Sequence, residues 1–258
     1  MIYPIFAFVF GMVVGSFLNV CICRLPKDES IVSPPSHCPD CSYQIRWYDN
    51  IPLVSYLLLK GKCRGCGAAI SLQYPLVELL NGVLALLLFL RFGPTLAFAT
   101  LFLLCSALVV ITFIDIEHQI IPDEISLPGI VVGFVLSFFL KGHTWLNSLL
   151  GILLGGGGLL LIAYTYQRLT GKDGMGGGDI KLLAMLGAFL GWKAIPFIIF
   201  ASSLVGSLVG ISLMLYQKKD SKLAIPFGPY LAFGAVLYIF YGKTLILWYL
   251  GLGGFHQG

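Results

Sequence analysis

Long apolar runs separated by short polar segments follow one another along most of the chain. The first run covers residues 2–23, and a polar stretch at 24–74 separates it from seven more. These are 77–90, 95–114, 125–140, 145–166, 180–192, 194–216 and 227–250. A helix needs roughly 20 apolar residues to cross a bilayer core about 30 Å thick. The pattern therefore predicts an all-α polytopic membrane protein of about eight transmembrane helices, in which the sixth is unusually short.

The composition agrees with this interpretation. Of the 258 residues, 58% are hydrophobic and 11% are charged, whereas a soluble domain carries about 25% charged residues. This excludes an ordinary soluble enzyme, a disordered chain and a coiled coil. The net charge of +4 is too small and too scattered for a nucleic-acid partner. We therefore expect membrane lipid around the chain and no nucleic acid.

The basic residues indicate an orientation. No positive charge precedes the first apolar run and no small-residue cleavage site follows it, so we expect a retained helix with its N-terminus outside. Twelve basic residues then fall in inner segments: Arg24, Lys27, Arg46, Lys60, Lys62, Arg64, Arg168, Lys172, Lys181, Lys218, Lys219 and Lys222. Four fall outside: Arg91, Lys141, Lys193 and Lys243. This bias supports eight crossings with the 24–74 loop in the cytoplasm.

Four of the seven cysteines form two close pairs in that loop, Cys38 with Cys41 and Cys63 with Cys66. Two such pairs supply the four sulfurs of a tetrahedral zinc site. Since all four ligands are cysteines, no position is left open for catalysis, and we expect a structural zinc. Two surface disulfides or a redox pair are the alternatives, but disulfides require an oxidising compartment. We interpret Cys21, Cys23 and Cys105 as small apolar residues of the helices.

Acidic residues at the ends of apolar runs are the second candidate chemistry. Asp115 ends the third run and Asp179 opens the sixth, and two spans between them place both on the side of the cysteine loop. Glu78 and Asn81 begin the second run. Two carboxylates about 4 Å apart repel by about 4 kcal/mol at an effective dielectric of 20, so they tend to share one proton. Such a pair can activate water and protonate an oxyanion, as in an aspartic protease.

Other interpretations of these acids remain open from the residues alone. The two aspartates can form an ion or proton relay in a transporter, although both lie at an interface and no inverted repeat is evident. Asp179 can simply stabilise a helix N-terminus, and Asp115 can pair with Lys181 or Arg168. Glu117 or Asp123 can also take the place of Asp115 in an acidic pair.

Several motifs in this order resemble the type IV prepilin peptidases, which are bifunctional leader peptidases and N-methyltransferases. The resemblance covers essentially the whole chain. Besides the cysteine pairs it includes GSFLNV at 15–20, RLP at 24–26, PLVE at 75–78, DIE at 115–117, IPD at 121–123, GMGGGDIK at 174–181 and PFGPY at 226–230. The Gly-x-Gly-Asp element alone is weak, since other intramembrane aspartic proteases share it. Together with the cysteine loop it is specific.

The resemblance implies an aspartic endopeptidase at the cytoplasmic face of a bacterial inner membrane. Its substrates would be prepilins and pseudopilins with a basic leader, a glycine before the scissile bond and a hydrophobic helix behind it. Asp115 and Asp179 correspond to the catalytic pair, with the roles of acid and base unassigned. Glu117, Asp123, Gly176, Gly178 and Lys181 correspond to residues that shape the site. A non-catalytic assembly factor of the secretion platform is a further alternative.

The resemblance also implies methylation of the new N-terminus with S-adenosylmethionine. No glycine-rich cofactor fingerprint is present, so residues that bind this cofactor are not identified. We expect three regions: a first helix at 1–23, a cytoplasmic zinc loop at 24–74 with the expected methyltransferase region, and a peptidase domain at 75–258. Glu117, Asp123 and Glu124 are expected to attract the basic leader. The oligomeric state is left open.

Overall fold

The computed structural model describes residues 2–171, 176–217 and 226–252 and divides the chain into two compact units, Met1–Ile114 and Asp115–Gly258. Some residues used in the sequence analysis lie outside the described residues: Gly174 and Met175 of the glycine-rich motif, and Lys172, Lys218, Lys219 and Lys222 of the charge count.

The first unit is built on long apolar helices with a polar insertion between the first two. Its helices are α1 (Ile2–Arg24), the short α2 (Val54–Leu58), α3 (Gln73–Phe92) and α4 (Leu96–His118), whose last turn belongs to the second unit. Two 3₁₀ turns, Leu25–Lys27 and Trp47–Asn50, lie in the insertion.

Small residues bring α1 and α3 together. A Cβ atom on Gly11 would lie 2.5 Å from the Ala85 Cβ, and one on Gly15 would lie 2.7 Å from the Glu78 Cα. Close backbone approach of this kind is how helices associate in lipid. The buried Asn81 amide donates to the Gly11 carbonyl at 2.7 Å, and the Ser106 hydroxyl donates to the Asn81 side-chain oxygen at 2.9 Å. Asn81 is therefore a packing residue of α3.

The second unit is also helical. Its elements are α5 (Asp123–Ser137), α6 (Trp145–Ile152), a π-helical turn (Leu153–Gly157), α7 (Gly158–Thr170), α8 (Gly177–Leu190), α9 (Ala194–Gln217), α10 (Gly228–Leu237), a second π-helical turn (Tyr238–Gly242) and α11 (Lys243–Leu252). The two π turns widen otherwise continuous helical stretches without ending them.

Helix α8 is the core of this unit, since every residue from Leu182 to Phe189 is buried. Glycines on its neighbours make room for it. A Cβ on Gly133 of α5 would meet the Phe189 ring at 2.6 Å, and the backbones of Gly151 in α6 and Gly187 in α8 are in direct contact. The Ser148 hydroxyl donates to the Ala188 carbonyl at 2.7 Å. These contacts hold the C-terminal half of α8, whose first turn carries Asp179.

The predicted all-α membrane fold is confirmed. The described residues contain no β-strand, only two isolated bridges in the cysteine loop. Within the described ranges, six helical stretches are long and apolar enough to cross a bilayer: Ile2–Lys27, Gln73–Phe92, Leu96–His118, Trp145–Thr170, Ala194–Tyr216 and Gly228–Tyr249. The predicted fourth and sixth spans are α5 and α8, with 15 and 14 residues. The count of eight therefore stays a prediction.

Candidate active site and metal centre

Asp115 lies in the last turn of α4 and is buried, with 5% of its surface exposed. Its carboxylate oxygen Oδ2 accepts a hydrogen bond of 2.9 Å from the backbone N–H of Gly228. Gly228 is the first residue of α10, where backbone N–H groups have no partner within the helix. The N-terminal end of a helix also favours a negative charge. The start of α10 thus holds the Asp115 side chain in one orientation.

Residue 228 must be glycine for this contact to form. A Cβ there would lie 2.7 Å from Asp115 Oδ2 and 3.3 Å from its carboxyl carbon. Sequence reasoning noticed the PFGPY motif but gave Gly228 no role. The available signal was a glycine between two prolines at the start of an apolar run, which is typical of a position where the backbone approaches another group closely.

Asp179 lies in the first turn of α8 and is half-buried. Gly178, the residue before it, packs against Ile121, because a Cβ there would lie 2.9 Å from the Ile121 Cβ. Ile121 follows a chain reversal at Gln119, which has a positive φ of 55°. The reversal after α4 therefore brings the segment following Asp115 against the residue preceding Asp179. Gly176 and Gly177 are exposed, and a Cβ on Gly177 would meet nothing within 4 Å.

The structure places the two predicted aspartates within electrostatic range of each other, since the carboxylate of Asp115 acts on that of Asp179. Such an arrangement favours one shared proton over two negative charges. Both residues belong to the second unit, Asp115 at the end of α4 and Asp179 at the start of α8.

The other predicted charged residues of the site lie at the ends of α4, α5 and α8. The Lys181 ammonium donates to both carboxylate oxygens of Asp123 at 2.7 Å, which ties the first turn of α8 to the first residue of α5. Lys181 is therefore not the partner of Asp115, and Asp123 does not take the place of Asp115 in an acidic pair. Glu117 is exposed one residue before the end of α4, and Glu124 is exposed in the first turn of α5.

In the first unit, each cysteine pair sits in the same backbone turn. The Cys38 N–H donates to the Tyr43 carbonyl and the Ser42 N–H donates to the Cys38 carbonyl, both at 2.9 Å. The second pair repeats the pattern at Cys63, Gly67 and Ala68, with distances of 2.8 and 2.9 Å. Ser42 and Gly67 both have a positive φ, of 58° and 77°.

The four sulfurs form one cluster, and each Sγ lies within 4.8 Å of the other three. The Cys38–Cys66 and Cys41–Cys63 sulfurs are 3.9 Å apart, too far for disulfides. A tetrahedral zinc with ligands at 2.3 Å places its sulfurs about 3.8 Å apart, so the donor set fits this metal. Backbone N–H groups of Cys66 and Gly65 directed at the sulfur lower the pKa of Cys63 to about 7, while hydrogen bonds with the other three thiols help to raise that of Cys41 to about 12. Cys63 therefore supplies a thiolate more readily than Cys41 does.

Comparisons with known proteins cover both units. The model of the bacterial peptidase A24 N-terminal domain matches residues 9–92, and that of the type IV leader peptidase family matches residues 102–211. These ranges include both cysteine pairs and both aspartates.

Three similar curated proteins carry the same description, prepilin leader peptidase/N-methyltransferase. That of Aeromonas hydrophila is 39% identical over 96% of this chain and 94% of the relative. That of Pseudomonas aeruginosa strain PAO1 is 38% identical over 95% and 92%, and that of Xanthomonas campestris pv. campestris is 40% identical over 95% and 93%. No solved structure matches the chain.

Proposed function

The chain belongs to the type IV leader peptidase family, and from this premise we propose that it removes the leader peptides of type IV prepilins and pseudopilins. It is a multi-pass membrane protein. The observation that carries the proposal is the buried Asp115, which interacts electrostatically with Asp179 and accepts a hydrogen bond from the Gly228 N–H. The basic residues of its inner segments support a bacterial inner membrane location with the site at the cytoplasmic face.

In this mechanism Asp115 and Asp179 share one proton. The ionised member polarises a water molecule, which attacks the carbonyl carbon of the scissile bond. The protonated member donates a hydrogen bond to the oxygen on which negative charge develops. Because the two groups titrate as a pair, the roles of acid and base are not assigned to individual residues. The chemistry needs no metal at this site, since the pair itself supplies both proton positions.

The substrate approaches the exposed glycines that precede Asp179. Gly176 and Gly177 carry no side chain into the space beside the dyad, which lets an extended peptide backbone lie close to it. We expect cleavage after a glycine, between a short basic leader and a hydrophobic helix. The exposed acids Glu117 and Glu124 are placed to attract the leader, while Asp123 is already paired with Lys181.

The four cysteines hold a structural zinc in this proposal. Cys38, Cys41, Cys63 and Cys66 would be its ligands, and the ion would join the two matching turns of an insertion that has little apolar core. Since cysteine fills all four positions, the metal supplies architecture and no reactive water.

The second activity is methylation of the amine that cleavage exposes. The descriptions of the relatives support it, and S-adenosylmethionine is the methyl donor that this family resemblance implies.

The test uses purified full-length protein in detergent and a synthetic prepilin peptide, with products identified by mass spectrometry. Wild type is expected to cut after the glycine. Asp115→Asn and Asp179→Asn are each expected to lose about 10²–10⁴-fold in rate, since each removes one proton position of the pair.

The exposed Asp28 provides a matched control, because Asp28→Asn makes the same change in the first unit and is expected to cut normally. Cutting that persists in either dyad variant contradicts the mechanism. No cutting by wild type contradicts the function itself.

A further inference from the structure

A cavity of about 480 Å³ lies within the first unit, outside the aspartate site. Its walls are the last turns of α1, the first turn of α3 and the cysteine loop. Polar and aromatic side chains from all three segments face it: Asn19, Tyr43, Asp49, Tyr56, Tyr74 and Glu78. The volume falls within the range of about 300–1,000 Å³ typical of sites for small molecules. No step of the proposed peptidase mechanism uses this cavity.

We propose that this cavity is the binding site for S-adenosylmethionine, with the Glu78 carboxylate as the counter-charge for its sulfonium. The inference rests on the proposed function, because it takes the methyl donor from it. It goes further by assigning the donor to one cavity and its recognition to named residues. Three features of this region support the assignment: a fixed buried charge, two rigid aromatic rings and an apolar groove that meets the cavity.

Glu78 is a buried carboxylate of this wall, with 8% of its surface exposed, whereas the Asp49 carboxylate of the same wall is already paired with Arg64. Its oxygen Oε2 accepts the backbone N–H of Leu53 at 2.9 Å, and the Ser16 hydroxyl also interacts with the carboxylate. Two donors directed at the carboxylate offset part of the cost of burying its charge. The two contacts also fix the side chain between α3, α1 and the loop. A held negative charge at the wall of a largely apolar cavity suits a cationic ligand.

Two tyrosines of the loop can hold a flat aromatic group such as adenine. The Tyr43 ring lies against Gly65, where a Cβ would come within 3.1 Å of it. The Tyr56 ring lies against Gly61, where a Cβ would come 3.0 Å from its nearest ring carbon. Rings held against backbone provide stacking surfaces at little further loss of entropy. Gly65 lies between Cys63 and Cys66, so the cysteine turn itself supports one of these rings. The cysteine cluster and the cavity wall are therefore structurally linked through this turn.

An apolar groove gives the acceptor amine a way to the donor. The exposed Trp47 ring faces Val13 and Phe17 of α1 across this groove, whose volume is about 400 Å³. Four residues line both spaces: Ser16, Val20, Asn50 and Ile51. We assign the groove to the first, hydrophobic residue of the cleaved pilin. Its continuity with the cavity carries this assignment, since the two reacting groups must meet at a shared wall.

The reaction is balanced without any further reactant. The N-terminal ammonium of the pilin first loses a proton to water, and the free lone pair forms the new N–C bond. The C–S bond of the sulfonium breaks as this bond forms, and its electron pair stays on sulfur, which becomes neutral. The change of charge on sulfur provides the test, because S-adenosylhomocysteine has the same shape without the methyl group and the positive charge.

The experiment measures equilibrium binding of both compounds to full-length protein in detergent by calorimetry. Glu78→Gln keeps an acceptor for the Leu53 N–H and removes only the charge. It is expected to weaken the binding of S-adenosylmethionine about tenfold and that of S-adenosylhomocysteine less than about twofold. Asp28→Asn removes a carboxylate of the same unit that does not line the cavity, and is expected to leave both affinities unchanged.

Equal weakening of both compounds would show that Glu78 supports the fold and not the sulfonium, and would overturn the assignment. Unchanged binding in Glu78→Gln would also overturn it. For the groove, Trp47→Ala is expected to raise the KM of methylation for a cleaved pilin peptide about fivefold or more, with S-adenosylmethionine affinity unchanged. An unchanged KM contradicts the groove assignment. Absence of prepilin cleavage by wild type is a separate result and contradicts the proposed function.

Discussion

At the scale of single residues, the candidate active site depends on a backbone group as much as on its two acids. The Gly228 N–H donates to Asp115 and fixes the direction of the carboxylate. An oriented acid needs no reorganisation when charge develops nearby, which is the main advantage of a preorganised site. Gly228 is therefore a positioning residue that acts through Asp115.

Replacement of Gly228 by alanine tests this role. The new Cβ would lie 2.7 Å from Asp115 Oδ2 and push the carboxylate away. We expect kcat to fall about tenfold or more, because misplacement of a catalytic group by about 1 Å costs up to about 10²-fold. Peptide binding, and hence KM, should change little.

Gly157→Ala is the matched control, since a Cβ there would meet nothing within 4 Å. It should retain the wild-type kcat. A Gly228→Ala enzyme with normal kcat, or one in which only KM rises, would show that the N–H contact does not position the dyad.

The cysteine cluster leads to a second prediction at this scale. Cys63→Ser replaces a thiolate by a hydroxyl, which is a poor zinc ligand in such a site. We expect the metal content, measured by mass spectrometry of purified protein, to fall from about one zinc per chain to less than about 0.2. Cys23→Ser, outside the cluster, should keep the full content. Full zinc in Cys63→Ser, or none in wild type, would contradict the site.

Spacing along the chain predicts some of these residues and not others. The cysteines lie two residues apart within each pair, so their chemistry is evident locally. The hydrogen bond from Gly228 to Asp115 joins positions 113 residues apart, and the bond from Lys181 to Asp123 joins positions 58 apart. From the residues alone, either Lys181 or Arg168 was a possible partner of Asp115. Only the packing of α8 on α5 decides between these partners.

At the scale of helices, the position of Asp179 is determined by how α8 is held. Small residues on α5 and α6 let their backbones approach α8 closely, and its side chains from Leu182 to Phe189 are buried on all sides. Close packing of this kind transmits a change at one end of a helix to the other. Loss of this packing should therefore destabilise the unit that holds Asp179.

Gly187→Ala tests the close packing of α8 against α6. The added methyl would collide with the backbone of Gly151, which cannot move without shifting α6. Overpacking typically costs about 1–3 kcal/mol, so the midpoint of thermal unfolding should fall by about 4 °C or more. Gly158→Ala, where a Cβ would meet nothing within 4 Å, should not lower it. The measurement is unfolding in detergent followed by tryptophan fluorescence, and equal midpoints would contradict close packing here.

The first turn of α5 carries an acidic side chain, Glu124, for which the described residues show no hydrogen bond or ion pair. Glu124 is exposed there, beside the Asp123–Lys181 pair. If it attracts the basic leader, Glu124→Gln should raise KM about threefold at low salt. This difference should disappear near 0.5 M salt, because exposed charges are then screened within a few ångströms. A KM that is the same as wild type at every ionic strength would contradict this role.

Apolar runs predict the helices of this chain well but not their internal irregularities. The predicted run at 145–166 is one stretch in the structure, yet it contains the π-helical turn Leu153–Gly157. The predicted run at 125–140 corresponds to α5, which begins at Asp123 because acids are favoured in a first turn. Glycines promoted close packing here, and hydropathy does not distinguish a packing glycine from a flexible one.

At the scale of the whole molecule, the open question is how many helices cross the membrane. Six helical stretches in the described residues have the necessary length, while α5 and α8 would span only about 21–23 Å. Short helices can still cross where the protein thins the bilayer or where neighbours surround them. The burial of α8 among α5, α6 and their glycines favours the second explanation. We therefore expect eight crossings with the N-terminus outside.

Added cysteines distinguish eight crossings from six. With eight, exposed Lys141 lies outside and exposed Arg168 lies inside, and if α5 and α8 do not cross, both positions change sides. In right-side-out spheroplasts treated with an impermeant maleimide, we expect Lys141→Cys to be labelled at once and Arg168→Cys only after permeabilisation. Lys193→Cys lies outside in both cases and controls for access, and the native cysteines should stay unlabelled. Labelling of Arg168→Cys from outside, with protection of Lys141→Cys, would contradict eight crossings, because only six spans produce that reversal.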